Sequence, residues 1–161
     1  MVVWQGHGNS KSTAIGTNDE GHYCGNLIKQ GVVPQIDDDF PAIVFMISCS
    51  NAKPEEHYNL GYALLRNGAI GVMGSTRVSF YRGQWMEPAG TLQSADASYR
   101  VFEKMAVNSY PQGKALLLTK SNLDWDTNAR TFNGYGLNLY GDPQIHCNDN
   151  GLQSNYYVDK V

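Results

Sequence analysis

The chain has 161 residues, of which 42% are apolar and 17% charged, with a formal net charge of −3. That is enough chain for one domain with its own hydrophobic core, and too apolar for a disordered segment. The slight acidity, without any Lys/Arg cluster, excludes a nucleic-acid footprint, and no apolar run reaches the roughly 20 residues of a membrane span.

In chain order, residues 2 to 5 read as a short strand that runs into a glycine-flanked histidine, Gly6-His7-Gly8. The next thirty-odd residues are rich in Gly, Asn, Ser and Thr, as a surface loop is. Within them EGHYCGNLIKQG is expected to hold one short helix with Leu27 and Ile28 facing inward. DDDFP punctuates the chain before AIVFMI, residues 42 to 47, a run without alternation that fits a central strand covered on both faces. A helix is expected from about Pro54 to Arg66, with Pro54 in its first turn, Glu55 and Glu56 at its positive end and Asn67-Gly68 as its stop. AIGVM, residues 69 to 73, is the next buried strand. The rhythm of strand, helix and strand with short connections predicts an α/β fold with a parallel sheet.

SADASYRVFEKMAVNSY, residues 94 to 110, predicts a further helix, capped by Ser94 and carrying the apolar stripe Ala97, Val101, Phe102 and Met105. GKALLLTKSNL and NARTFNGYGLNLYG read as weaker helices, and the last twenty residues as a short strand and a tyrosine-rich polar tail from about residue 146. One domain over residues 1–161 is expected. A chain that opens on its first core strand, with three parallel strands in view, leaves a sheet edge for another copy or another part of a longer chain to cover. No basic leader with a long apolar region stands at the N-terminus, so no secretory signal is read from this chain.

Three cysteines, Cys24, Cys49 and Cys147, form an odd, widely spaced set, so no disulfide framework is expected. A Cys24–Cys147 bridge would require an oxidising compartment and would leave Cys49 as the odd thiol. His22 and Cys24 are close enough for a zinc pair, but no second pair at ligand spacing accompanies them, and no metal site is expected. The Asp37-Asp38-Asp39 run reads as a solvated loop, and His57 and His146 as surface or boundary residues. Ser50 and Ser75 lack the Gly-x-Ser-x-Gly elbow of a serine hydrolase, no Cys-x-x-Cys supports a thioredoxin, and the glycines of residues 6 to 16 lack a phosphate-loop Gly-Lys-Ser/Thr.

The chemistry lies elsewhere. Ligands of an open parallel sheet sit beyond the C-terminal ends of its strands, and there the strands at 2–5 and 42–47 place His7 and Cys49. A thiol attacks a carbonyl as the thiolate, and an adjacent imidazole can take its proton. Gly8 allows close backbone approach to a substrate, so its N–H and that of Cys49 are candidate oxyanion donors. Against this stands the plain alternative of an inert cysteine ending a buried strand and a histidine in an ordinary turn.

The strand ending in GHG, the second ending in SC, NLGYALLRNGAIGVMGSTR (residues 59 to 77) and YGDPQI (residues 140 to 145) together resemble the gingipain-like cysteine peptidases, from residue 2 to about residue 145. The resemblance implies a caspase-like three-layer sandwich with a mostly parallel sheet, here without its first strands. It implies His7 as the catalytic histidine and Cys49 as the nucleophile, an oxyanion hole on the backbone of Gly8 and Cys49, and a groove lined by Gly74 and Ser75. Where the family carries a glycine shortly after the nucleophile, this chain runs Cys49-Ser50-Asn51-Ala52-Lys53. Gly141-Asp142-Pro143 reads as a structural turn, with Asp142 capping a local donor.

The expected activity is therefore cysteine endopeptidase, acting on protein or peptide through an acyl-enzyme and needing no cofactor. The alternative is an inactive caspase-like module. The resemblance also suggests a secreted or cell-surface bacterial protein. No Asp or Glu lies in Cys49 to Lys53 or Met73 to Arg77, so a preference for Arg or Lys at the cleavage site is not expected.

Overall fold

The computed structural model describes residues 1–14, 25–36, 41–80, 94–121 and 128–147. Among these residues, seven strands and four α-helices form an α/β fold with two sheets. The larger sheet holds β1 (Val2–Gln5), β5 (Ala42–Ile47), β6 (Ala69–Ser75) and β7 (Leu137–Gly141) in the order β1-β5-β6-β7. β1, β5 and β6 run parallel, and β7 returns antiparallel to β6. The smaller sheet is an antiparallel meander of β2 (His7–Asn9), β3 (Ser12–Ala14) and β4 (Asn26–Lys29), followed by a 3-10 helix at Gln30–Gln35.

β5 explains the core. Alternate side chains of a strand point to opposite faces, and every second residue of AIVFMI meets a different cluster. Ile43, Phe45 and Ile47 pack with Met73 against Ala97, Val101 and Met105 of α2 (Ser94–Ala106) and Ala115 and Leu116 of α3 (Gln112–Ser121). Val44 and Met46 pack with Val72 against Leu60, Ala63 and Leu64 of α1 (Leu60–Arg66) and Val33 of the 3-10 helix. Burial on both faces is why the run does not alternate in hydrophobicity.

Several sequence expectations are corrected. Asn26–Lys29 is strand, not helix, so its adjacent apolar residues point opposite ways: Ile28 packs inward while Leu27 is 47% exposed. Residues 20–24 of that expected helix lie outside the described residues. The loop after β1 contains the β2–β3 hairpin, whose turn is closed by Asn9 Oδ1 accepting from the N–H groups of Lys11 (2.8 Å) and Ser12 (3.1 Å). That pattern is an Asx turn.

The helix expected from Pro54 begins only at Leu60. Asn59 is its N-cap, its Oδ1 accepting from Tyr62 N–H at 2.9 Å. Asn59 Nδ2 donates to Lys53 O (3.1 Å) and Glu56 O (3.2 Å), so the preceding residues turn around the asparagine instead of continuing the helix. The stop at Asn67-Gly68 holds, with Gly68 at φ 100°.

The helix expected through residue 110 ends at Ala106, and the Ser94 side chain lies outside the described residues. NARTFNGYG forms α4 (Asn128–Gly136), but the LNLYG that follows is β7, paired to β6 from Leu137 opposite Ser75 to Gly141 opposite Gly71. The late strand therefore precedes the last twenty residues, of which 148–161 lie outside the described residues. Asp142 Oδ1 accepts from Gln144 N–H (2.8 Å), the local cap expected of the Gly-Asp-Pro turn. The carbonyls of Pro143 and Ile145 accept from Gly113 and Gln112 N–H, docking the turn onto the start of α3.

Candidate active site

Gln5 pairs with Ile47, the last residues of β1 and β5, and the next amide, Gly6 N–H, donates to Ile47 O at 3.0 Å. Two adjacent parallel strands thus release His7 and Cys49 at the same C-terminal rim. The chain at His7 turns directly into β2, where His7 faces Ala14 across the hairpin.

The two glycines around His7 are required by close approach. A Cβ at residue 6 would stand 2.2 Å from Ala14 O. One at residue 8 would stand 2.8 Å from both Cys49 O and Ser48 Cβ. The hairpin therefore lies directly on the loop that carries the cysteine.

That loop is tightly held. Ser50 N–H donates to Arg77 O (2.9 Å), Ala52 N–H to Ser75 O (3.0 Å), and Asn51 O accepts from Gly61 N–H (3.0 Å). Ala52 O accepts from Tyr140 Oη at 2.8 Å, and burial pushes that phenol's pKa up, which keeps it a donor. Ser50 sits at φ 56°, a left-handed conformation uncommon for a residue with a Cβ. A serine here takes a conformation that glycine favours.

Cys49 is half-buried and is a free thiol, as is Cys147, whose pKa burial pushes up. Cys24 and His22 lie outside the described residues, and among the described residues no group of three His, Cys, Asp or Glu could hold a metal ion. Cys49 Sγ accepts from Ser79 N–H at 3.4 Å and lies 3.6 Å from Ser79 O as donor. The neighbouring residue, Phe80, is held through both main-chain groups by Asn133 of α4: its N–H donates to Oδ1 and its carbonyl accepts from Nδ2, each at 2.9 Å.

The other expected site residues lie under the loop. Gly74 faces Met46 and Ala52, where a Cβ would stand 2.6 Å from Met46 Cε, and Ser75 is buried with its carbonyl on Ala52 N–H. The two cations near the site are both matched by carboxylates. Arg77 makes a two-armed ion pair with Glu55, and Lys53 Nζ lies 3.6 Å from Glu56 Oε1. A backbone hydrogen bond first, and then the Arg77 guanidinium, hold the Glu55 carboxyl below the ordinary carboxylate range.

Three residues around the site escape a sequence reading. Asn51 and Thr13 are completely buried and hydrogen-bonded to each other at 3.0 Å. Ser79 meets the sulfur through its main chain, which no side-chain pattern reports. The one signal available is local: an asparagine closing the polar run SCSN directly after an apolar strand.

An α/β domain with two sheets, carrying a cysteine and a histidine at the ends of adjacent parallel strands, has the make-up of a cysteine-peptidase-like domain. Residues 1–148 match peptidase family C25, and the chain belongs to that family, the gingipain-like cysteine peptidases. No match is found among curated proteins. Among the described residues, no helix is long and apolar enough to cross a membrane.

Proposed function

We propose that this protein is a cysteine endopeptidase in which His7 and Cys49 form the catalytic dyad. The observation that carries the reading is the pairing of Gln5 with Ile47, continued by the Gly6–Ile47 hydrogen bond, because it delivers both residues from neighbouring strands to one rim. Family membership supports the same assignment. The helices against each face of the larger sheet support reading the domain as a caspase-like three-layer sandwich.

In this reading His7 takes the Cys49 thiol proton, and the sulfur attacks the scissile carbonyl carbon to form a C–S bond. The N–H groups of Gly8 and Cys49 receive the developing oxyanion. The C–N bond then breaks, and the amine leaves with the proton held by His7. Water, losing a proton to His7, attacks the thioester, which releases the carboxylic acid and restores the thiol. Gly74 and Ser75, expected from the sequence to line the groove, act in this reading from beneath the cysteine loop, where Ser75 O holds Ala52 N–H at 3.0 Å. A secreted or cell-surface bacterial setting accompanies this reading through the family.

One observation favours the competing reading of an inactive module. The Cys49 sulfur is engaged by the Ser79 main chain as acceptor and as donor, as an inert thiol also can be. Alkylation with iodoacetamide separates the two. In an active site Cys49 reacts at least about 10-fold faster than Cys147, and His7→Ala removes the excess. Equal rates, unchanged by His7→Ala, would favour the inactive module.

A further inference from the structure

We propose that Asn51 is a positioning residue that fastens the hairpin carrying His7 to the loop carrying Cys49, a role that rests on the dyad reading above. Asn51 stands two residues after Cys49 and is 0% exposed. A side-chain amide offers two donors and two acceptor positions, and here all four are used, three of them across the junction. Nδ2 donates to Asn9 O at 2.5 Å and to Ser12 O at 3.0 Å, the two residues that flank the turn of the β2–β3 hairpin. Oδ1 accepts from Thr13 Oγ1 at 3.0 Å and from Ser48 Oγ. Thr13 Oγ1 in turn accepts from Trp4 Nε1 at 3.1 Å, which extends the tie to β1.

The polarity of this network is chemically determined. Two carbonyl oxygens can be satisfied only by the nitrogen end of the amide, so its orientation follows from its partners. An aspartate of the same size is acceptor-only when ionised and would face Asn9 O and Ser12 O with like charge. Alanine would leave both carbonyls without these donors in a partly buried place.

The location points to positioning beyond stability. The hairpin has its own β2–β3 pairing and its own Asx turn. Neither joins it to the cysteine loop. Asn51 does, and Gly8 pressed against Cys49 O leaves no slack in that junction. Displacement of a reacting group by about 1 Å can cost about 100-fold in rate. A loosened hairpin would therefore uncouple His7 from Cys49 while both side chains remain present.

The test is the alkylation rate of Cys49 by iodoacetamide, resolved from that of Cys147 by peptide mass spectrometry. It is measured in the wild type, His7→Ala, Asn51→Asp, Asn51→Ala and the His7→Ala/Asn51→Ala double variant, each checked for a cooperative thermal melt. The expected result is loss of most of the His7-dependent excess in the Asn51 variants, by about 10- to 100-fold. His7→Ala should add nothing further in the Asn51→Ala background, while Cys147 reacts as before. Folded Asn51 variants that retain the full His7-dependent excess overturn the positioning role and leave the dyad standing. A wild type with no His7-dependent excess overturns the dyad and the positioning role together. If the Asn51 variants do not melt cooperatively, Thr13→Val, which removes the Oγ1 hydrogen bonds to Asn51 Oδ1 and from Trp4 Nε1 at nearly constant volume, carries the test. A reduced excess in that variant supports the role, and an unchanged one overturns it.

Discussion

Gly8 lies so close to Cys49 that a methyl group on residue 8 would stand 2.8 Å from the Cys49 carbonyl oxygen, and as close to the Ser48 Cβ. Neither neighbour is the free end of a flexible chain, so one of the two backbones must move. Overpacking of this kind costs about 1–3 kcal/mol. Gly8→Ala is expected to lower the urea midpoint accordingly and to slow alkylation of Cys49. A variant with wild-type stability and thiol reactivity would show that the two segments are not held together this tightly.

Cys49→Ala should abolish peptide hydrolysis while changing stability by less than about 1 kcal/mol, since it removes one half-buried thiol whose partners are main-chain groups. Turnover of a casein or peptide-library substrate, measured beside a thermal melt, checks both halves. Residual wild-type turnover would remove Cys49 from the mechanism.

Asn59 caps α1 and also satisfies two carbonyls of the turn before it. Loss of a cap costs about 1 kcal/mol, and the two stranded carbonyls add to it, so Asn59→Ala is expected to cost about 2 kcal/mol. The measurement is again a urea midpoint. Because α1 covers the face of the sheet beneath the cysteine loop, the same variant should also raise the rate of proteolytic nicking within residues 50–58.

The Glu55–Arg77 pair gives a pH dependence of known sign. The folded pKa of Glu55 lies below its ordinary value of about 4.5, so the pair's contribution is present above that value and lost as the pH falls through the lower folded value. Both side chains are about half exposed at 53%, so the effect is small. The melting temperature of the wild type should exceed that of Glu55→Gln slightly near neutral pH, and the gap should shrink as the pH falls below that ordinary value. A gap that widens on acidification would contradict the assignment.

Substrate preference follows from the same charges. A basic side chain entering a pocket needs a free carboxylate to offset its desolvation. Among the described residues near the loop, Glu55 is committed to Arg77 and Glu56 to Lys53. Peptides with uncharged residues on the acyl side of the scissile bond should therefore be cleaved at least as fast as those with Arg or Lys. Exclusive cleavage after Arg or Lys in a profiling library would refute this.

The sequence alone determined the parts whose environment is written in their own residues. VVWQ and AIVFMI are short apolar runs bounded by turn formers, so they could be read as strands, and so could the placing of His7 and Cys49 at their ends. The helix stop at Asn67-Gly68 is equally local, because an asparagine and a glycine tolerate the backbone angles a helix end needs. Asn26–Lys29 and Leu137–Gly141 were different. With four or five residues and two or three apolar side chains each, they fit a helical or an extended period, and hydrogen bonding to β3 and β6 decided the matter. Asn51 shows the same limit at the candidate site. In SCSNAK it reads as one more turn residue, and what gives it work is contact with Asn9, Ser12 and Thr13, 38 to 42 positions earlier. A hydrogen-bonding side chain declares its chemistry in the sequence, but its partners are chosen only when the chain folds back on itself.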